Sequence, residues 1–179
     1  MSVISKSISA LGAVMFWLIS GLSFASITLD QAPPTVTLSG KDGGLVSGDA
    51  WSSTSLVGKV HVLIYVDPDE QDLNKPFQDA LEAAKFPKDQ VQTVAVINMA
   101  ATWLPDFAIS AKLSSSQKRY PDVVYVEDRA KVLIKTWRLQ DDSYDVVIFD
   151  KTGRVVQSKD GELTKGEIQS ALDTIRTLL

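Results

Sequence analysis

The chain has 179 residues, 45% hydrophobic and 22% charged, a composition that supplies one buried core. Eighteen Lys plus Arg against 22 Asp plus Glu leave a net charge of −4 with no basic run, which argues against a nucleic-acid binder that must neutralise phosphates. There is no cysteine and a single histidine, His61, so disulfides, thiolate nucleophiles, cysteine metal ligands and multi-histidine metal sites are all excluded.

Residues 1–25 read as a secretory leader. Lys6 and the terminal amine are followed by an apolar stretch from Ile8 to Leu22, and Ser23-Phe24-Ala25 offers small residues at the two positions a signal peptidase reads. The expectation is cleavage before Ser26 and a mature protein of residues 26–179 in the periplasm. The alternative is a retained inner-membrane anchor facing the periplasm, since no charge falls between Lys6 and Asp30.

Beyond the leader, Ala32-Pro33-Pro34 favours extended backbone. Thr35 to Leu38 alternates as a short strand, Gly40 to Gly44 is a turn, and Leu45-Val46 is expected to be the returning strand of an N-terminal hairpin. The glycines are not followed by a helix, so they do not form a phosphate cradle. Val60 to Val66 (VHVLIYV) is apolar nearly throughout, as a central strand covered on both faces requires. His61 near its start has no serine or cysteine close in sequence and is expected to be structural.

Asp67, Pro68 and Glu70 fit a helix N-terminus with a capping box, and Leu73, Phe77, Ala80, Leu81 and Ala84 continue one apolar stripe to about Lys85. Gln92 to Met99 is the next strand. Asp106 to Arg119 is a helix weakened by three serines, Asp122 to Val126 a short strand, and Ala130 to Leu139 a short helix. Asp145 to Phe149 and Arg154 to Ser158 form a hairpin across Asp150-Lys151-Thr152-Gly153. Thr164 with Glu167 caps a terminal helix whose apolar face is Ile168, Ala171, Leu172, Ile175 and Leu179. The order β-β-β-α-β-α-β-α-β-β-α predicts an α/β fold with a central mixed sheet flanked by helices, parallel where helices intervene and antiparallel at the terminal hairpin.

That order resembles the thioredoxin-like fold in its extracytoplasmic form. Pro33 to Lys59 is similar to the superfamily's N-terminal hairpin, Val60 to Lys75 to its central strand and active-site helix, and Phe149 to Ile168 (FDKTGRVVQSKDGELTKGEI) to its closing segment. More narrowly, LVGKV near Trp51, TWRL at Thr136 to Leu139 and DKTGRV…KDGELT resemble the YtfJ family of small exported bacterial proteins. The resemblance implies a fold and a compartment and brings no activity with it. Laid on the thioredoxin active site, Gln71 and Asn74 stand where the two cysteines belong, and Tyr144 stands near the fold's cis-proline. Amides neither attack nor resolve a disulfide, so thiol–disulfide exchange and thiol peroxidase chemistry are excluded.

Two constellations remain. Asp67, Asp69, Glu70 and Asp72 cluster after a central strand, where open α/β sheets bind ligands, and the same layout brings Asp141, Asp142 and Asp145 to that end. They fit a hard cation or a cationic ligand, or they simply complement a helix dipole; no calcium-loop spacing decides between these. Trp103, in Trp103-Leu104-Pro105-Asp106-Phe107, is either a partner anchor or core filling beneath a loop, whereas Trp137 is expected in the core. The sequence therefore points to a non-catalytic module binding an envelope protein or a small ligand, with no cofactor. Its expected face is Asp67, Asp69, Glu70, Gln71, Asp72, Asn74, Trp103, Asp142 and Tyr144. The alternative is an enzyme or metal-binding protein using carboxylates on that face.

Overall fold

The computed structural model describes residues 27–179; the expected leader lies outside them. Three short strands come first: β1 (Thr37–Leu38), β2 (Gly43–Leu45) and β3 (Trp51–Ser52). They are followed by β4 (Val60–Val66), α1 (Lys75–Ala84), β5 (Val91–Asn98), α2 (Asp106–Arg119) and β6 (Val123–Asp128). The chain closes with α3 (Val132–Trp137), β7 (Tyr144–Phe149), β8 (Val155–Asp160) and α4 (Lys165–Leu178). Among the described residues no helix is long and apolar enough to cross a membrane.

The main sheet has the order β2-β6-β5-β4-β7-β8. Strands β4, β5 and β6 run parallel, while β7, β8 and β2 are antiparallel to their neighbours. Strand β4 is buried along its whole length. Its alternating side chains feed two cores, as the two-residue period of a strand dictates. Val60, Val62, Ile64 and Val66 pack with Phe77, Ile109, Leu113, Ala171 and Ile175 from α1, α2 and α4. Leu63 and Tyr65 face Val36, Leu38, Trp51, Leu133, Trp137 and Phe149. Trp137 is fully buried, as expected, and donates its indole N–H to the Pro34 carbonyl at 2.7 Å. The Thr164–Glu167 capping box forms at the start of α4. His61 is 5% exposed and shares a hydrogen bond with the Lys59 carbonyl at 3.0 Å, with burial lowering its pKa, as a structural imidazole does.

Three expectations are corrected. The N-terminal extension is a two-stranded sheet, but β1 pairs with β3 and not with Leu45. Residues Gly43 to Leu45 instead join the edge of the main sheet opposite Val126 to Asp128. A Cβ on Gly43 would lie 1.9 Å from the Glu127 carbonyl oxygen, so that close approach belongs to glycine alone. Strand β7 is antiparallel to β4 although a helix precedes it. With six residues, α3 spans about 9 Å, too little to carry the chain back along a strand of about 20 Å. Finally, Asp67 does not cap a helix: Pro68–Glu70 is a single 3-10 turn, and α1 starts at Lys75 with Pro76 in its first turn.

Candidate functional site

The C-terminal ends of β4, β5 and β6 and the start of β7 lie along one edge of the sheet, with Val66 opposite both Ile97 and Tyr144. Most of the described chain's buried polar side chains gather there. Asp67 (2% exposed) follows β4, Asn98 (0%) ends β5, Glu127 and Asp128 end β6, and Asp145 (3%) lies at the start of β7. An edge that is otherwise core holds this much polarity only where each group has a partner or a task.

Some have structural partners. Asp128 accepts the N–H groups of Ala130, Val132 and Leu133 at 3.2, 2.9 and 3.0 Å and the Tyr65 hydroxyl at 3.2 Å, thereby capping α3 from within β6. Glu127 pairs with Arg129 at 2.6 Å, which in turn reaches Asp106 at the start of α2 at 3.9 Å. Asn74 is 1% exposed and spends its whole carboxamide on the segment after β8, donating to Gly161 O at 2.9 Å and accepting Leu163 N–H at 2.8 Å. Tyr144 is fully buried, and its hydroxyl accepts from Gln78 at 3.0 Å.

Others converge. Asp67, Asp141 and Asp142 each place a carboxylate oxygen within 4.8 Å of the others. Asp67 Oδ2 accepts the Ser143 N–H at 3.0 Å and the Asp67 N–H donates to Ser143 O at 3.1 Å, a two-point clamp that pulls the 141–143 loop onto the end of β4. Asn98 donates to Asp141 Oδ1 at 3.0 Å. Lys131 lies on both Asp141 oxygens at 2.8 and 2.6 Å, and that hydrogen-bonded contact raises the lysine pKa and lowers the carboxyl pKa. Burial pushes the Asp67 carboxyl up to about 6 against the Asn98 amide and the Ser143 N–H, which hold it down; the charges of Asp141 and Asp142 add to the rise. Lys131 and Asp142 both sit in left-handed backbone (φ 53 and 51), rare for non-glycine residues and frequent where a site holds its chain in place. Asp67 Oδ1 and Asn98 Oδ1 are buried and accept no hydrogen bond, a situation that costs about 1–3 kcal/mol per group.

The expected face is thus divided. Asp67, Asp141 and Asp142 come together; Asp69, Gln71 and Asp72 are exposed and, with the half-buried Glu70, fall outside the cluster. Gln71 takes the Lys112 ammonium at 2.5 Å. Trp103 is 87% exposed, so it does not fill the core, and Phe107 beside it is 77% exposed. Asn98, Lys131 and Ser143 were missed in the sequence; a lone amide ending the apolar run Val94–Ile97 is the one signal that marks Asn98.

Residues 28–178 match the family described as "Bacterial protein of unknown function (YtfJ_HI0045)". The chain belongs to that family. The "Uncharacterized protein YtfJ" of Escherichia coli (strain K12), a YtfJ relative, is 35% identical over 133 residues, 72% of each chain. An "Uncharacterized protein" of Haemophilus influenzae is 26% identical over 176 residues, 90% of this chain and 95% of that one. Among solved structures, this YtfJ-family chain is similar to the thioredoxin domain of the thiol-disulfide oxidoreductase BVU-2223 from Bacteroides vulgatus (TM-score 0.60, 13% identity, covering 86% of this chain and all of that one). It is also similar to the exposed lipoprotein thioredoxin Etrx1 of Streptococcus pneumoniae (TM-score 0.55, 18% identity, 79% and 99%). The fold of this YtfJ-family member is therefore thioredoxin-like, and with no cysteine the thiol chemistry is gone from it.

Proposed function

We propose that this protein is an exported, thiol-free thioredoxin-fold module of the bacterial envelope that holds a partner protein and does not itself turn over a substrate. One observation carries the reading: Trp103 and Phe107 stand 87% and 77% exposed, with Leu104 (37%) between them in sequence. Two aromatics left in water, on the segment leaving β5 and bordered by charged residues, are the kind of anchor that protein interfaces bury. The neighbouring Arg129–Asp106 and Glu127–Arg129 pairs supply a polar rim. The leader-like sequence over 1–25 and the exposed lipoprotein among the structural neighbours support export.

The test is site-specific photo-crosslinking in living cells from the full chain. A photo-reactive phenylalanine analogue replaces Phe107 or, as a control at the opposite end of the sheet, Val57, itself 53% exposed. The expected result is one defined protein adduct from position 107 only, lost with Trp103→Ser, on a mature chain beginning at Ser26 in the periplasmic fraction. Equal adducts from both positions, or none from 107, would overturn the docking reading; a cytoplasmic chain retaining its leader would overturn export.

A further inference from the structure

We propose that Asp67, Asn98, Asp141 and Asp142 form a binding site for one hard divalent cation of calcium's size. The site stands apart from the docking reading, since neither Trp103 nor Phe107 belongs to it.

Three carboxylates within 4.8 Å of one another are not yet a site, because exposed acids cluster without ions. Asn98 supplies the second, independent observation. It is fully buried, its nitrogen meets Asp141 at 3.0 Å, and its oxygen accepts no hydrogen bond. A half-turn of the carboxamide about its last bond exchanges that nitrogen for the oxygen, which turns a donor to Asp141 into a fourth ligand. Asp67 adds a second unpartnered buried oxygen, Oδ1, while its other oxygen is fixed by Ser143. Both orphans are acceptors, and both belong to side chains of the acidic cluster. A cation satisfies several acceptors at once and cancels their mutual repulsion.

Charge and size agree. Three carboxylates and the Lys131 ammonium leave two negative charges, which one divalent ion neutralises. Calcium binds oxygens at about 2.3–2.6 Å in irregular shells, so ligands on opposite sides of it lie up to about 5 Å apart; magnesium at about 2.0–2.1 Å demands a tighter octahedron. Oxygen-only ligands on two strand ends and one loop suit the former. Lys131 holds Asp141 in the resting site with both carboxylate oxygens engaged. It is a competitor that calcium must displace.

The experiment is calcium titration of the full mature chain by calorimetry, with melting curves in parallel and sodium chloride at matched ionic strength as the control. A dissociation constant of about 0.1–1 mM is expected, the class of extracellular calcium modules, with a rise in melting temperature of several degrees at 10 mM calcium. Asp142→Asn, at an exposed position in left-handed backbone that asparagine tolerates, is expected to weaken binding at least tenfold while folding normally. Lys131→Met, which removes the competing charge, is expected to tighten it about tenfold. Lack of binding heat up to 10 mM, an equal melting shift in sodium chloride, or unchanged affinity in both variants would each overturn the site.

Discussion

Asp145 shows how one carboxylate makes stability depend on pH. It is 3% exposed, lies opposite Asp160 across β7 and β8, and its Oδ2 has no hydrogen-bond partner. Burial, with the Asp160 charge second, raises its pKa to about 7 from the 3.8 of a free carboxyl. The folded chain therefore binds a proton more readily than the unfolded one between about pH 4 and pH 7. Stability must fall as pH rises through that window and level off above it, by at most on the order of 4 kcal/mol from this group. Asp67, pushed up to about 6, acts in the same direction, so the informative measurement is a difference. Asp145→Asn is expected to melt close to the wild-type temperature at pH 4 and progressively above it towards pH 8. A gap that stays constant from pH 4 to pH 8 would show that the carboxyl ionises normally.

At the scale of elements, α3 depends on a residue that is not part of it. Its N-cap position is Lys131, in left-handed backbone without a side-chain cap, and the free N–H groups are taken by Asp128 at the end of β6. Asp128→Ala removes the acceptor of three N–H groups and of the Tyr65 hydroxyl inside a dry edge. A loss of about 3 kcal/mol is expected, against about 1 kcal/mol for Tyr65→Phe, read by chemical denaturation. Equal losses in the two variants would mean that α3 is held by packing alone. The same device explains what sequence reading reached and where it stopped. Strand β4, helix α2, the β7–β8 hairpin and the α4 capping box are local patterns, and each formed where the pattern lies. Asp67 carries an equally good local pattern and does something else, because Ser143 claims its carboxylate across the sheet edge. Asn74, aligned with a lost cysteine, is likewise spent on Gly161 and Leu163, far along the chain. Asp67, Asn98 and Asn74 are decided by partners distant in sequence, and a single sequence does not pair them.

Across the whole molecule, the N-terminal segment is tied to the sheet at several places. Ile27 N–H reaches Trp137 O, Asp30 and Gln31 bracket Val155, and Gly58 N–H reaches Lys151 O. Trp51 and Leu38 lie in the same core as Tyr65 and Trp137. Together with α3, the segment therefore covers one face of the sheet, and removing it would expose the aromatic core beneath. Strand β2 is the tie with the least tolerance, since Gly43 adopts φ 122 and lies directly against the Glu127 carbonyl. Gly43→Ala cannot keep that pairing: the backbone of β2 must move off β6, and the neighbouring Glu127–Arg129 pair moves with it. If the extension and the sheet share one core, this change lowers stability by about 3 kcal/mol or more and leaves a single unfolding transition, followed together by tryptophan fluorescence and far-ultraviolet dichroism. If the two probes separate instead, with the segment melting early and the sheet at its original midpoint, the extension is an independent cover and the shared core does not bind the two energetically.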